Sequence, residues 1–293
     1  MQDNDAYVRE VHDKGLRFDL PTMSRRRMLG VAGGVGAAVI GGALTNAGTA
    51  DAATTGTAGA TTGAAGAVAG AAGATSTDDA AACLAEVESE TAGPYPADGS
   101  NGPDVRKLSG IVRSDIRSSF GTSTTTAPGV PLQFSLTVRN LGCAPVAGAA
   151  IYAWHCDRAG RYSLYSSGVT GENYLRGIQV TNSSGVATFT SIYPGCYAGR
   201  WPHIHFEVYS SLAAATSGAG PIRKTSQIAL PKDVSQTVYA SATGYSASVT
   251  NLSRISLATD MVFRDDLAAR EMATVTGSVA AGYVANLTIS VNL

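Results

Sequence analysis

Gly199-Arg200-Trp201-Pro202-His203-Ile204-His205-Phe206-Glu207-Val208 holds two of the chain's four histidines, two residues apart. In an extended strand successive side chains point to opposite faces. His203, His205 and Glu207 would then share one face, and Ile204, Phe206 and Val208 the other. The apolar face would enter a core, leaving two imidazoles side by side, with Arg200 supplying a fixed positive charge near them. By itself, His-x-His on a strand is shared by zinc, copper, manganese and iron sites and by pairs of merely hydrogen-bonded histidines. Other donors must decide between these.

Outward from this strand the pattern remains mostly β. Leu132-Gln133-Phe134-Ser135-Leu136-Thr137-Val138 alternates apolar and polar, and so does Leu287-Thr288-Ile289-Ser290-Val291-Asn292-Leu293. Short strands separated by Gly, Pro and Asn turns predict a β-sandwich of antiparallel strands, with Greek-key-like connections and few short helices. One helix is expected near Phe263 to Met272. Residues 83–293 are enough chain for one sizeable core.

Two tyrosines precede the histidines in Gly-containing surroundings. Tyr162 ends Trp154-His155-Cys156-Asp157-Arg158-Ala159-Gly160-Arg161-Tyr162, and Tyr197 ends Tyr193-Pro194-Gly195-Cys196-Tyr197. Either alone reads as a packing residue with a hydrogen-bonded hydroxyl. In order, however, Gly93-Pro94-Tyr95, Trp154 to Tyr162, Arg176 to Gly185, Ile192 to Tyr197 and Arg200 to Val208 resemble the intradiol ring-cleavage dioxygenases, the catechol and protocatechuate dioxygenase family. The ordered Tyr…Tyr…Arg-x-x-His-x-His set carries the resemblance.

The resemblance implies a β-sandwich catalytic domain and a non-haem Fe(III) ion held by Tyr162, Tyr197, His203 and His205. It implies cleavage of a catechol-type ring between the two hydroxyl-bearing carbons with O2. Tyr197 would leave the iron when substrate binds and help take a substrate proton. Arg200 would steady negative charge on the substrate, with a surface salt bridge as its alternative role. Tyr95 would lie at the pocket wall, and Gln227 near the substrate. The donor types suit the ion: ferric iron favours anionic oxygen and also takes imidazole, and a bound cation lowers a phenol's pKa from its usual value of about 10. Only Ala198 to Pro202 separates Tyr197 from His203, shorter than in the cytoplasmic members, so a small pocket rim is expected. His155 falls outside the ligand set and is expected to be structural.

Ser24-Arg25-Arg26-Arg27-Met28-Leu29-Gly30, followed by an uncharged stretch to Ala50, reads as a twin-arginine export signal over 1–50. An uncleaved membrane anchor is the alternative, and the only membrane contact expected. Residues 51–82, rich in Ala, Gly and Thr, read as a flexible linker. Export places the domain in the cell envelope or outside the cell. There the four cysteines, Cys83, Cys143, Cys156 and Cys196, suggest two disulfides. Three connectivities are open; 156–196 with 83–143 is preferred, because Cys156 and Cys196 lie beside the two ligand tyrosines. The net charge of −1 gives no sign of a nucleic-acid surface. A homodimer is left open. Two other functions compete with the dioxygenase: a secreted, non-catalytic β-sandwich binding module, and a different His-x-His metalloenzyme.

Overall fold

A computed structural model describes residues 83–293. The export signal expected over 1–50 and the linker over 51–82 lie outside the described residues.

Among the described residues, eight strands form two four-stranded sheets. They are β1 (Pro131–Asn140), β2 (Ala150–Trp154), β3 (Arg176–Val180), β4 (Val186–Ile192), β5 (His203–Tyr209), β6 (Ile222–Ala229), β7 (Thr274–Ser278) and β8 (Gly282–Val291). The first sheet has the order β4-β1-β8-β7 and the second β3-β2-β5-β6. The chain crosses between the sheets after β1, β3, β4 and β6. In β1 the alternation places Leu132, Phe134, Leu136 and Val138 inward, where they meet Ile151, Ala153, Ile204, Phe206 and Val208 of the second sheet. This sandwich core is the one that the alternating pattern implies.

One pairing differs from the antiparallel expectation. β1 pairs antiparallel with β4 but parallel with β8, from Leu132↔Tyr283 to Asn140↔Val291. Parallel neighbours need a long crossover between them, and here the whole second sheet supplies it.

The second sheet is covered on its other face too. Ala92, Ala97, Val105, Ile111, Tyr162, Tyr165 and Ile178 pack with Tyr152 and Trp154 into a second apolar cluster. Hence β2 and β5 are buried at every position. The histidine-bearing face of β5 therefore lies under a cover of loops.

The helix expected near Phe263–Met272 does not form. Residues 261–271 run as consecutive turns, with Leu267 and Ala268 at φ of 61° and 56°, in the left-handed region that interrupts an α-helix. The reversal lets Met261, Val262, Phe263 and Ala268 all enter the main core. Tertiary burial outweighs the helix-favouring Ala-Ala-Arg-Glu-Met composition. Helices occur instead at Leu212–Thr216, Lys232–Ser241 and Ser246–Ser253.

Cys83 and Cys143 form the expected disulfide, with Cα atoms 5.3 Å apart. The 156–196 pairing is not formed: both thiols are free and buried. Cys156 Sγ donates to the Gly195 carbonyl and Cys196 Sγ to the Arg200 carbonyl, each at 3.4 Å. Neighbouring as expected, the two sulfurs each settle on a backbone oxygen. Among the described residues no helix is long and apolar enough to cross a membrane.

Candidate metal centre

β5 presents His203 and His205 on one side, with their Nε2 atoms 3.0 Å apart. His203 Nδ1 donates to the Trp201 carbonyl at 2.5 Å. That bond fixes the tautomer, so Nε2 carries a lone pair directed at its neighbour. His205 is held differently. Its ring lies flat on Trp154, its cross-strand partner, at 5.0 Å and 2°. Gly93 also packs close to the ring: a Cβ there would lie 3.3 Å from His205 Cε1. Nδ1 of His205 is buried with no hydrogen-bond partner among the described residues, so on that side of the ring packing rather than a hydrogen bond holds it.

The two tyrosines arrive from loops. Asp157 accepts from the main-chain N–H groups of Ala159 and Arg161, folding the loop that delivers Tyr162. Tyr162 is then tied down by its N–H to Ser166 Oγ at 2.9 Å. The Tyr197 loop is fixed by Ser248, whose Oγ accepts from Cys196 N, and by Asn251, whose amide donates to the Cys196 carbonyl. Gly195 lets the two loops touch, because a Cβ there would stand 2.9 Å or less from the carbonyl oxygens of Asp157 and Arg158. The Tyr162 hydroxyl reaches 3.3 Å from His203 Nε2 and 3.2 Å from His205 Nε2. The Tyr197 hydroxyl lies 3.3 Å from His203 Nε2.

Two phenolic oxygens and two imidazole nitrogens therefore converge on one point. Protein donors that share a metal ion sit about 2 Å from it, so they stand roughly 3 Å from one another, as these do. Burial first, and then Arg200, pushes the His203 imidazole down to about 3. His205 is likewise held well below its usual value, by burial and then by His203. Both rings are neutral and able to coordinate. Burial, followed by Tyr197, raises the Tyr162 phenol well above its usual 10.0. Such a phenol ionises only beside a cation, and a mixed set of two phenolates and two imidazoles suits a hard ferric ion. Among the described residues no group of three or more His, Cys, Asp or Glu could hold a metal.

Arg200 is not at the surface. It is 2 % exposed and pairs with buried Asp260, Nε to Oδ2 at 3.0 Å. Its Nη2 donates to Gln227 Oε1 at 2.6 Å. Gln227 stands opposite His205 across the β5–β6 ladder, and its amide N–H donates to the Thr91 carbonyl at 2.9 Å. Gln227 thus braces Arg200 and the 91–95 segment. Tyr95 stacks on Tyr162 at 4.8 Å and meets Tyr165 at 5.3 Å. His155 is bonded to Ser191 Oγ and the Cys156 carbonyl, apart from the centre. Glu207 shares the histidine face but turns to Tyr209, whose hydroxyl donates to it.

Two further residues support this geometry without having been assigned a role in the site. Arg176 is fully buried and spreads its guanidinium over Ser163 and the carbonyls of Tyr95 and Pro96. Asp260 anchors Arg200. Arg176 opens one of the stretches that carry the resemblance, but nothing there gives it a role; Asp260 offers no sequence hint, since its partner lies sixty residues away.

Residues 101–215 match the family model described as Dioxygenase. That span contains Tyr162, Tyr197, Arg200, His203 and His205, and leaves Tyr95 and Gln227 outside. A chlorocatechol 1,2-dioxygenase of Rhodococcus opacus is 36% identical over 70 residues, 24% of this chain and 27% of that protein. The chain thus matches only about a quarter of that relative's length. Among solved structures, an intradiol ring-cleavage dioxygenase from Tetranychus urticae superposes with a TM-score of 0.56 at 22% identity, covering 71% of this chain and 95% of that one. A second dioxygenase crystal structure superposes with a TM-score of 0.55 at 24% identity, covering 72% and 95%. Residues 101–215 carry the dioxygenase family's sequence signature, and the described chain has the fold of the intradiol ring-cleavage dioxygenases.

Proposed function

We propose that this chain is a non-haem iron dioxygenase that opens catechol-type rings between the two hydroxyl-bearing carbons, using O2. The observation that carries the reading is the convergence of Tyr162, Tyr197, His203 and His205 at 3.0–3.3 Å, beside the buried Arg200. The family signature and the fold support it. The four residues would hold the ion. A ferric ion there supplies Lewis-acid activation of a catecholate toward O2.

The chain's own groups account for the rest. Tyr162, fully buried beneath Tyr95, is a permanent donor. Tyr197 is only half-buried, so its hydroxyl has room to swing away and accept a proton from a substrate hydroxyl. Arg200 offers a fixed positive charge to an aryl oxide, held still by Asp260 and Gln227. The flat face of Tyr95 supplies a wall for an aromatic ring. The short Ala198–Pro202 segment leaves a low rim, which suits a substrate presented from an open surface. The Arg25-Arg26 pair supports export by the twin-arginine route.

The test is iron analysis, a visible spectrum and product analysis on a panel of catechols under O2. We expect about one iron per chain, a red-brown charge-transfer band and ring-opened dicarboxylic products. Arg200→Ala should keep the iron and lower turnover by about a hundred- to a thousand-fold. Zinc or no metal in protein folded with ample iron, or oxygen uptake without ring-opened product, rejects the reading.

A further inference from the structure

Asp260 immediately precedes the run of turns that replaces the expected helix, sixty residues from Arg200, which it holds. Its side chain is completely buried. Oδ2 accepts from Arg200 Nε at 3.0 Å and from the main-chain N–H of Trp201 at 2.6 Å. Oδ1 accepts from the N–H groups of Val262 at 2.8 Å and Phe263 at 3.1 Å. Four donors therefore address one carboxylate. The two main-chain bonds to Oδ1 lock its own turn, and the ion pair on Oδ2 reaches across to the site.

The receiving end is equally constrained. The guanidinium is gripped at Nε by Asp260 and at Nη2 by Gln227, and its carbon lies 5.9 Å from the Phe263 ring centroid. Trp201, whose N–H is held by the same Oδ2, turns its carbonyl to His203 Nδ1. One carboxylate oxygen thus bridges two neighbouring residues, one bearing the cation and the other orienting a metal-binding imidazole.

We propose that Asp260 is the positioning residue of the site, aiming the Arg200 charge at the substrate. This rests on the dioxygenase reading of the same site. A guanidinium without that anchor keeps its charge but loses its direction, and electrostatic stabilisation of a reacting oxygen depends on donors already in place. Asp260 touches neither substrate nor metal ligand, so its removal should act on turnover rather than on substrate capture. If Asp260 served only to fix the 260–271 turns, its loss would lower stability and leave the turnover of each folded, iron-bearing molecule unchanged.

The experiment compares Asp260→Asn, Asp260→Glu, Arg200→Ala and the double variant Arg200→Ala/Asp260→Asn, each made as the full chain and loaded with iron. For Asp260→Asn we expect normal iron content and a retained visible band. KM for catechol should stay within about threefold while kcat per iron falls by about a hundredfold. Asp260→Glu, which keeps the charge, should recover part of that rate. In the Arg200→Ala background the second substitution should cost little more, because Asp260 acts through a group already gone. A crystal structure of Asp260→Asn should show the guanidinium displaced from Gln227 Oε1. Wild-type kcat in Asp260→Asn, or an equal loss with and without Arg200, overturns the proposal. If Asp260→Asn does not fold, the Glu variant decides: wild-type kcat there overturns the proposal, and a reduced kcat with iron intact upholds it. A parent protein without ring cleavage would defeat the dioxygenase reading, while the position of the guanidinium is read independently of activity.

Discussion

Gly93 sits at φ of 68°, with His205 Cε1 3.3 Å from where its Cβ would be. Because the inner nitrogen of His205 has no partner among the described residues, this contact and the Trp154 stack are what orient the ring. Gly93→Ala should therefore be felt at the metal. Forcing alanine into the left-handed region costs roughly 1–2 kcal/mol, and disturbing the support of a ligand lowers metal affinity by roughly 10–100-fold. Urea unfolding and competition with an iron chelator measure the two effects; no change in either would show that the ring is held by other means. At this scale the four residues that converge were legible. Tyr162, Tyr197, His203 and His205 stand in an ordered motif, and His-x-His on a strand fixes its own facing. The supporting contacts were not: Gly93 and Arg176 lie in stretches that carry the resemblance, but their roles, like that of Asp260, arise from contacts across long separations in the chain. Arg200 was legible as a charge but not as a buried one, since burial depends on where the turns after Asp260 pass.

Among the elements, β5 divides its work by parity. Ile204, Phe206 and Val208 enter the sandwich core, and His203 and His205 face the loops. Two substitutions one residue apart should thus have opposite signatures. Ile204→Ala removes buried apolar volume, which costs about 2–5 kcal/mol, and should leave the folded molecules with full iron. His205→Ala should abolish iron binding with a smaller loss of stability. Unfolding midpoints set beside iron content decide this, and iron loss in Ile204→Ala or iron retention in His205→Ala would contradict the assignment of faces. Strands such as β1 and β8 were readable because alternation is a local property. The 261–271 turns were not, since Leu267 and Ala268 adopt left-handed backbone only to let their neighbours reach the core. The free thiols of Cys156 and Cys196 were misread for a related reason: proximity was legible, but the direction of each sulfur was not.

Over the whole molecule, several carboxyl groups are folded away in neutral form. Burial, followed by Asp266, raises Glu271 to about 7, and burial, followed by Asp265 and Glu271, raises Glu90 to about 8. A carboxyl whose pKa is higher in the folded state than in the unfolded one favours folding most below the unfolded value of 4.5. That contribution is lost as pH rises through 7 to 8, because the unfolded chain releases the proton first. The melting temperature should therefore fall between about pH 5 and pH 8.5, and Glu271→Gln should flatten the decline. A melting temperature constant across that window would show that these carboxyls ionise freely in the fold. The parallel pairing of β1 with β8 has a consequence in time. β1 lies between β4 and β8, and Leu287, Ile289 and Val291 of β8 complete the core that Phe134 begins. β8 follows the other seven described strands in the chain, so until it has been synthesised the β1 edge of the first sheet has no partner. The centre assembled on β5 is thus built on a sandwich whose first sheet closes at the seam joining the first described strand to the last.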